Sequence, residues 1–88
     1  MAETMEDRIT RLLLNHAQNV HPERPFPRQL SIRRDLAVES LSLVSVLVDL
    51  GAELEADVME SGINLGSIET VGDLVVVGNE LAASAGTS

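Results

Sequence analysis

The sequence predicts a small all-α bundle of three main helices plus one short helix, with a long loop between helices one and two. Three observations predict it. Apolar residues recur at helical spacing in three segments, a capping-box pattern opens the first and last of these, and no strand has a second strand to pair with. Eighty-eight residues make one small domain, 1–88, with an ordered core over about 4–83 and a frayed tail at 84–88. A core that small leaves no room for a deep catalytic cleft.

The first element lies in "TMEDRITRLLLNHAQNV". Thr4 and Asp7 stand at the capping-box spacing, and Ile9, Leu12, Leu13 and His16 follow at helical intervals. "HPERPFPRQLSIRR" then packs three prolines into six residues, which forbids regular helix and opens a connection running roughly from His21 to Glu39. Connections this long tend to be functional or to pack as a layer of their own, with Phe26, Leu30 and Ile32 as the expected anchors.

From Ser40 to about Leu54 the period is helical again. Leu43, Val46, Leu47, Leu50 and Leu54 fall on one side, with Ser42, Ser45, Asp49 and Glu53 opposite. Leu41, Val44 and Val48 widen the apolar arc beyond what one core contact needs, so they are either covered by the long loop or form an exposed docking strip. "GAELEADVMESGINLGS" is mostly connection, with a short turn of helix before Ile68. In "TVGDLVVVGNELAAS", three consecutive valines and two glycines argue for strand or weak helix. The Thr70–Asp73 cap and the face of Val71, Leu74, Val75 and Leu81 argue for helix, which is the expectation adopted. The predicted core is Ile9, Leu12, Leu13, Leu43, Leu47, Leu50, Leu54, Ile68, Leu74 and Val75.

Charge restricts the partners. Residues 1–34 hold all six arginines and four acids, while residues 35–88 hold ten acids and no Lys or Arg, dividing the net charge of −8 into +2 and −10. Such a surface repels nucleic acid and acidic membranes and steers cationic proteins, and without Trp or Tyr there is no stacking platform for bases. The uncompensated acids predict a marginal fold that divalent cations stabilise without a true metal site. No positively charged leader precedes an apolar region and no run is long enough to span a bilayer, so a cytoplasmic location is expected.

Several chemistries lack their residues. With no Cys there is neither a disulfide nor a thiolate site, and any thiol must arrive on a cofactor. His16 and His21 are the only bases for a nucleophilic triad or hydrolase, and His16 reads as a core or boundary histidine. The acids lack zinc or calcium spacing, and no Gly-rich loop precedes a Lys. The expectation is a protein with no catalytic residues and no metal ligands.

Ser40 remains, at the mouth of an apolar helix. A helix N-cap is the ordinary use of such a serine. Yet "DLAVESL" followed by "SLVSVLVDLGAEL" resembles the modification site of the acyl carrier protein family, with Glu39-Ser40-Leu41 in place of the hallmark Asp-Ser-Leu at the start of the second helix. "DLAV" stands where an Asp-Leu-Gly type of lead-in is usual, Leu50 and Leu54 match apolar helix positions, and "SIETVGDLVVV" is similar to the approach to the family's final helix. The resemblance covers nearly the whole chain.

That resemblance implies 4'-phosphopantetheine from coenzyme A on Ser40, attached by a phosphopantetheinyl transferase, with acyl groups held as thioesters by a monomeric carrier that catalyses nothing. The implied partners are acyl- or aminoacyl-loading and acyl-processing enzymes with basic docking surfaces, meeting Asp35, Glu39, Leu41, Val44, Val48, Asp49 and Glu53. Two departures refine the expectation. Glu39 replaces Asp, and Ser42 and Ser45 stand where fatty-acid carriers are commonly acidic, which points to a specialised carrier for polyketide, natural-product or unusual lipid biosynthesis. Aminoacyl or housekeeping fatty-acid carriage is the alternative within the class, although Ala37 and Val38 fill the positions of the peptidyl-carrier glycines. An unmodified helical docking module is the alternative outside it.

Overall fold

The computed structural model describes residues 3–58 and 62–85. It is a small all-helical protein of three α-helices, α1 (Met5–Leu14), α2 (Ser40–Leu54) and α3 (Val71–Ala85), with one 3-10 turn at Leu65–Ser67. Each helix packs against the other two. No strand forms among the described residues, apart from a single antiparallel bridge between Ser31 and Thr70.

Both predicted caps form, and the one at α3 is a reciprocal capping box. Thr4 Oγ1 accepts the Asp7 N–H at 3.1 Å and donates to Asp7 Oδ2 at 2.8 Å, which caps the first turn of α1. At α3 the Asp73 N–H donates to Thr70 Oγ1 at 3.2 Å, while Asp73 Oδ2 accepts from Glu69 N at 3.0 Å and Thr70 N at 3.1 Å. Burial of Val71, Leu74, Val75 and Leu81 overrides the strand preference of the valines, since each fully buried aliphatic side chain contributes about 1.5–3 kcal/mol. Gly78 is buried where α1 crosses, and a Cβ there would meet Met5 Sδ at 2.6 Å. α1 is shorter than its periodicity suggests: it stops at Leu14, leaving His16 in the following turn. α3 extends to Ala85, two residues into the predicted tail, and 86–88 lie outside the described residues.

The loop between α1 and α2 is a packed layer. Phe26, Leu30 and Ile32 are buried as expected, and so are Leu36 and Val38. Buried Thr10 fastens the loop to α1 by donating to Glu6 O at 2.8 Å and accepting the Phe26 N–H at 2.9 Å. Backbone bonds fasten it to the start of α3: Ile32 N to Glu69 O at 2.9 Å, Val71 N to Leu30 O at 3.0 Å and Gly72 N to Arg28 O at 2.9 Å. Within the loop, Val38 N bonds to Ile32 O at 3.0 Å and Gln18 N to Leu36 O at 3.1 Å. The segment leading into α2 is therefore held by α3 as well as by its own turns.

Of the predicted core, Ile9, Leu12, Leu13, Leu43, Leu47, Leu50, Ile68, Leu74 and Val75 are buried, whereas Leu54 is only partly so because α2 ends there. The stop is local. Glu55 takes the left-handed conformation (φ 56°, ψ 40°) and Ala56 N returns to Gly51 O at 2.8 Å. The chain then passes so close to α2 that a Cβ on Gly51 would lie 2.5 Å from Val58 Cγ2 and 2.9 Å from Ala56 O.

Candidate functional site

Ser40 is the first residue of α2, and the N-cap is Glu39, whose backbone is extended (φ −78°, ψ 165°) and whose side chain makes no capping bond. The hydroxyl is consequently not spent on capping, unlike the ordinary use of a serine at a helix start. Ser40 is exposed, and its Oγ accepts a hydrogen bond from the Arg33 guanidinium. The first intrahelical bond runs from Leu43 N to Glu39 O at 2.8 Å, which places the N–H groups of Ser40, Leu41 and Ser42 ahead of the helical ladder. No acid stands within the first turn of α2.

The lead-in has a defined shape. Asp35 Oδ2 accepts the Ser31 N–H at 2.7 Å, Arg34 N donates to Ser31 Oγ at 3.1 Å, and Ala37 is left-handed (φ 53°). Asp35, expected to meet partners, is exposed but holds this turn. Arg33 lines two open clefts. One lies beside Gln18, Ala37, Val38, Glu39 and Ser40, and the other beside Ser31, Arg34, Leu65, Gly66, Ile68, Glu69 and Thr70. Sequence reading did not single out Arg33, because only the folded turn brings it to a serine seven residues later.

The open question about Leu41, Val44 and Val48 is resolved: they are 81%, 38% and 54% exposed, and the loop does not cover them. Ser45 Oγ donates back to Leu41 O at 3.4 Å. Asp49 is exposed, with an oxygen 3.9 Å from His16 Nε2. Glu53 requires a correction. It was expected as part of a free acidic docking face, but Arg11 of α1 holds it with Nη1 at 3.0 Å from Oε2, and Arg8 Nε lies 3.8 Å from Oε1. The Arg11 hydrogen bonds hold the Glu53 carboxyl below its ordinary range. The acids after Arg34 are thus not all uncompensated.

Neither histidine hydrogen-bonds to Ser40 among the described residues. His21 Nδ1 accepts from Glu23 N at 3.2 Å within the loop. No group of three or more His, Asp or Glu among the described residues could hold a metal ion. None of the described helices is long and apolar enough to cross a membrane.

Fold and site together define a small helical bundle that presents one exposed serine hydroxyl at a helix start, flanked by an arginine and an apolar strip. Comparison of the chain with protein-family models, with curated proteins and with solved structures returns no match.

Proposed function

We propose that the protein is a phosphopantetheine-dependent acyl carrier, with Ser40 as the attachment point. The observation that carries this reading is the exposed Ser40 hydroxyl at the first position of α2, released from capping by Glu39 and followed by an uncovered apolar strip. The surroundings fit a phosphodiester on that oxygen: helix-start N–H groups ahead of the ladder, the positive end of the helix dipole and the Arg33 guanidinium all favour an anion there. The arm supplies a thiol, absent from a chain without Cys, on which acyl groups are carried as thioesters.

Loading is done by a transferase on the carrier. The Ser40 oxygen bonds to the phosphorus next to the pantetheine, the pyrophosphate bond of coenzyme A breaks, adenosine 3',5'-bisphosphate leaves, and the serine proton passes to the transferase. The protein's own contribution is presentation. Ser40 stands clear of the helix, Glu39 and Asp49 give a thin negative rim, and Leu41, Val44 and Val48 offer shape. Docking that relies on an apolar strip suits a specialised carrier for polyketide, natural-product or unusual lipid biosynthesis, working in the cytoplasm as a monomer with basic partner enzymes.

The test is the intact mass of the purified protein before and after incubation with coenzyme A, magnesium and a broad-specificity phosphopantetheinyl transferase. One phosphopantetheine on Ser40, absent from Ser40→Ala, is the expected result. An unchanged mass with several transferases on folded protein overturns it. The exposed strip also favours a second reading, a docking module that works unmodified, and under it Ser40→Ala binds partners as the wild type does.

A further inference from the structure

Most arginines of this chain are already engaged. Arg8 and Arg11 lie against Glu3 and Glu53, Arg28 bonds to Glu6 at 2.9 Å, and Arg24 stacks on Phe26 while donating to the His21 and Glu23 carbonyls. Among the described residues, Arg33 and Arg34 pair with no carboxylate, although the protein is strongly acidic. Both line the cleft beside Ser31 and Glu69, but only Arg33 also lines the cleft at Ser40 and reaches the serine oxygen. Its backbone is braced on both sides, since neighbouring Ile32 is buried and bonded to Glu69 O, and Asp35 N and Leu36 N both return to Ser31 O. The braced turn holds the Arg33 backbone beside Ser40, and the guanidinium already bonds to the serine oxygen with no ligand present.

A neutral hydroxyl uses little of what a guanidinium offers. The planar guanidinium fork matches two oxygens of a phosphate, and an anion on Ser40 has the Glu39 carboxylate beside it, so a cation adds to what the helix-start N–H groups supply. We infer that Arg33 is a positioning residue that grips the phosphate of the group esterified to Ser40. The inference rests on the carrier reading and adds to it a fixed starting direction for the arm, set on the loop side of Ser40. In this arrangement Leu41, Val44 and Val48 stay free for partners while the arm's first bonds are held.

The experiment compares wild type, Arg33→Gln and Arg33→Lys, each as apo protein and after loading with phosphopantetheine to completion by intact mass. Thermal melting and 31P NMR are recorded at low and at about 0.5 M salt, where exposed ion pairs are screened. Arg33 is exposed, so all three apo proteins are expected to show the same far-UV circular dichroism. The loaded wild type is expected to melt a few °C above its apo form at low salt and to lose that gain at high salt. Its phosphorus resonance is expected to lie away from that of the same protein unfolded in urea. Arg33→Gln is expected to lose both signals and Arg33→Lys to keep part of each. If Arg33→Gln gains as much on loading as the wild type, with the same 31P shift, the role of Arg33 falls while the carrier reading stands. If no transferase loads the wild type, both fall.

Discussion

Arg11 on α1 grips Glu53 on α2 with two nitrogens of its guanidinium and, through Nε and Nη2, grips Glu3 at 3.0 and 2.9 Å. One cation thereby ties the start of the chain, the first helix and the end of the second helix together across 42 residues of sequence. An exposed bidentate pair such as Arg11 with Glu53 contributes about 0.2–1 kcal/mol. Glu53→Gln is expected to lower the urea midpoint slightly at low salt, with the difference closing by about 0.5 M salt. Because Glu53 is already neutralised, the substitution is expected to leave the association of basic partners unchanged, whereas Glu39→Gln weakens it. Equal losses for the two variants would return Glu53 to the docking surface.

Asp73 gives the fold a dependence on pH. Backbone N–H groups of Glu69 and Thr70 bond to its carboxylate and hold its pKa below the ordinary value of 3.8. A carboxyl that is more acidic in the folded state contributes stability above its unfolded pKa and loses it as pH falls through the folded value. Glu53, Glu3 and Glu6, held low chiefly by hydrogen bonds from arginines, act with the same sign from about pH 4.5 downward. Asp73→Asn keeps one acceptor but loses the negative charge at the helix start, for a cost of about 0.3–1 kcal/mol at neutral pH. Melting both proteins from pH 7 to 2.5 is expected to show their gap shrinking below pH 4; a constant gap would mean that the cap does not titrate.

Among the described residues, two with side chains occupy the left-handed region that favours glycine, Ala37 at φ 53° and Glu55 at φ 56°. That conformation costs about 1–2 kcal/mol for an ordinary residue, while glycine adds about 0.4–1 kcal/mol of unfolded-state freedom. Ala37→Gly and Glu55→Gly are therefore each expected to be neutral to stabilising by urea denaturation, with an unchanged slope. Gly51→Ala goes the other way, because the backbone carbonyl of Ala56 cannot yield easily to a new Cβ. A clear loss of stability in Ala37→Gly would show that the turn before Ser40 is not strained.

The two sides of α2 separate stability from docking. Leu41→Ala and Val48→Ala remove exposed atoms and are expected to change stability by less than about 0.5 kcal/mol. Leu47→Ala, on the buried face, is expected to cost about 2–5 kcal/mol. Partner affinity, followed by titration against whichever transferase loads Ser40, is expected to fall for Leu41→Ala and Val48→Ala. A stability loss in Leu41→Ala comparable to that in Leu47→Ala would make the strip structural.

What could be read from the sequence was whatever depends on neighbours within a helical turn or two. The caps at Thr4 and Thr70, the start of α2 at Ser40 and the buried face of Leu43, Val46, Leu47 and Leu50 follow from spacing, because a helix brings residues three and four apart together wherever it lies. The burial of Leu36 and Val38 has no such local signal. Their segment has no helical period, and it is buried through backbone bonds within the loop and from residues 28–32 to the start of α3. The exposure of Leu41, Val44 and Val48, the capture of Glu53 by Arg11 and the reach of Arg33 to Ser40 were likewise decided by tertiary structure. Periodicity assigns a side chain to a face of its own element. Which faces are covered, and which charges meet, depends on how elements distant in sequence pack against one another.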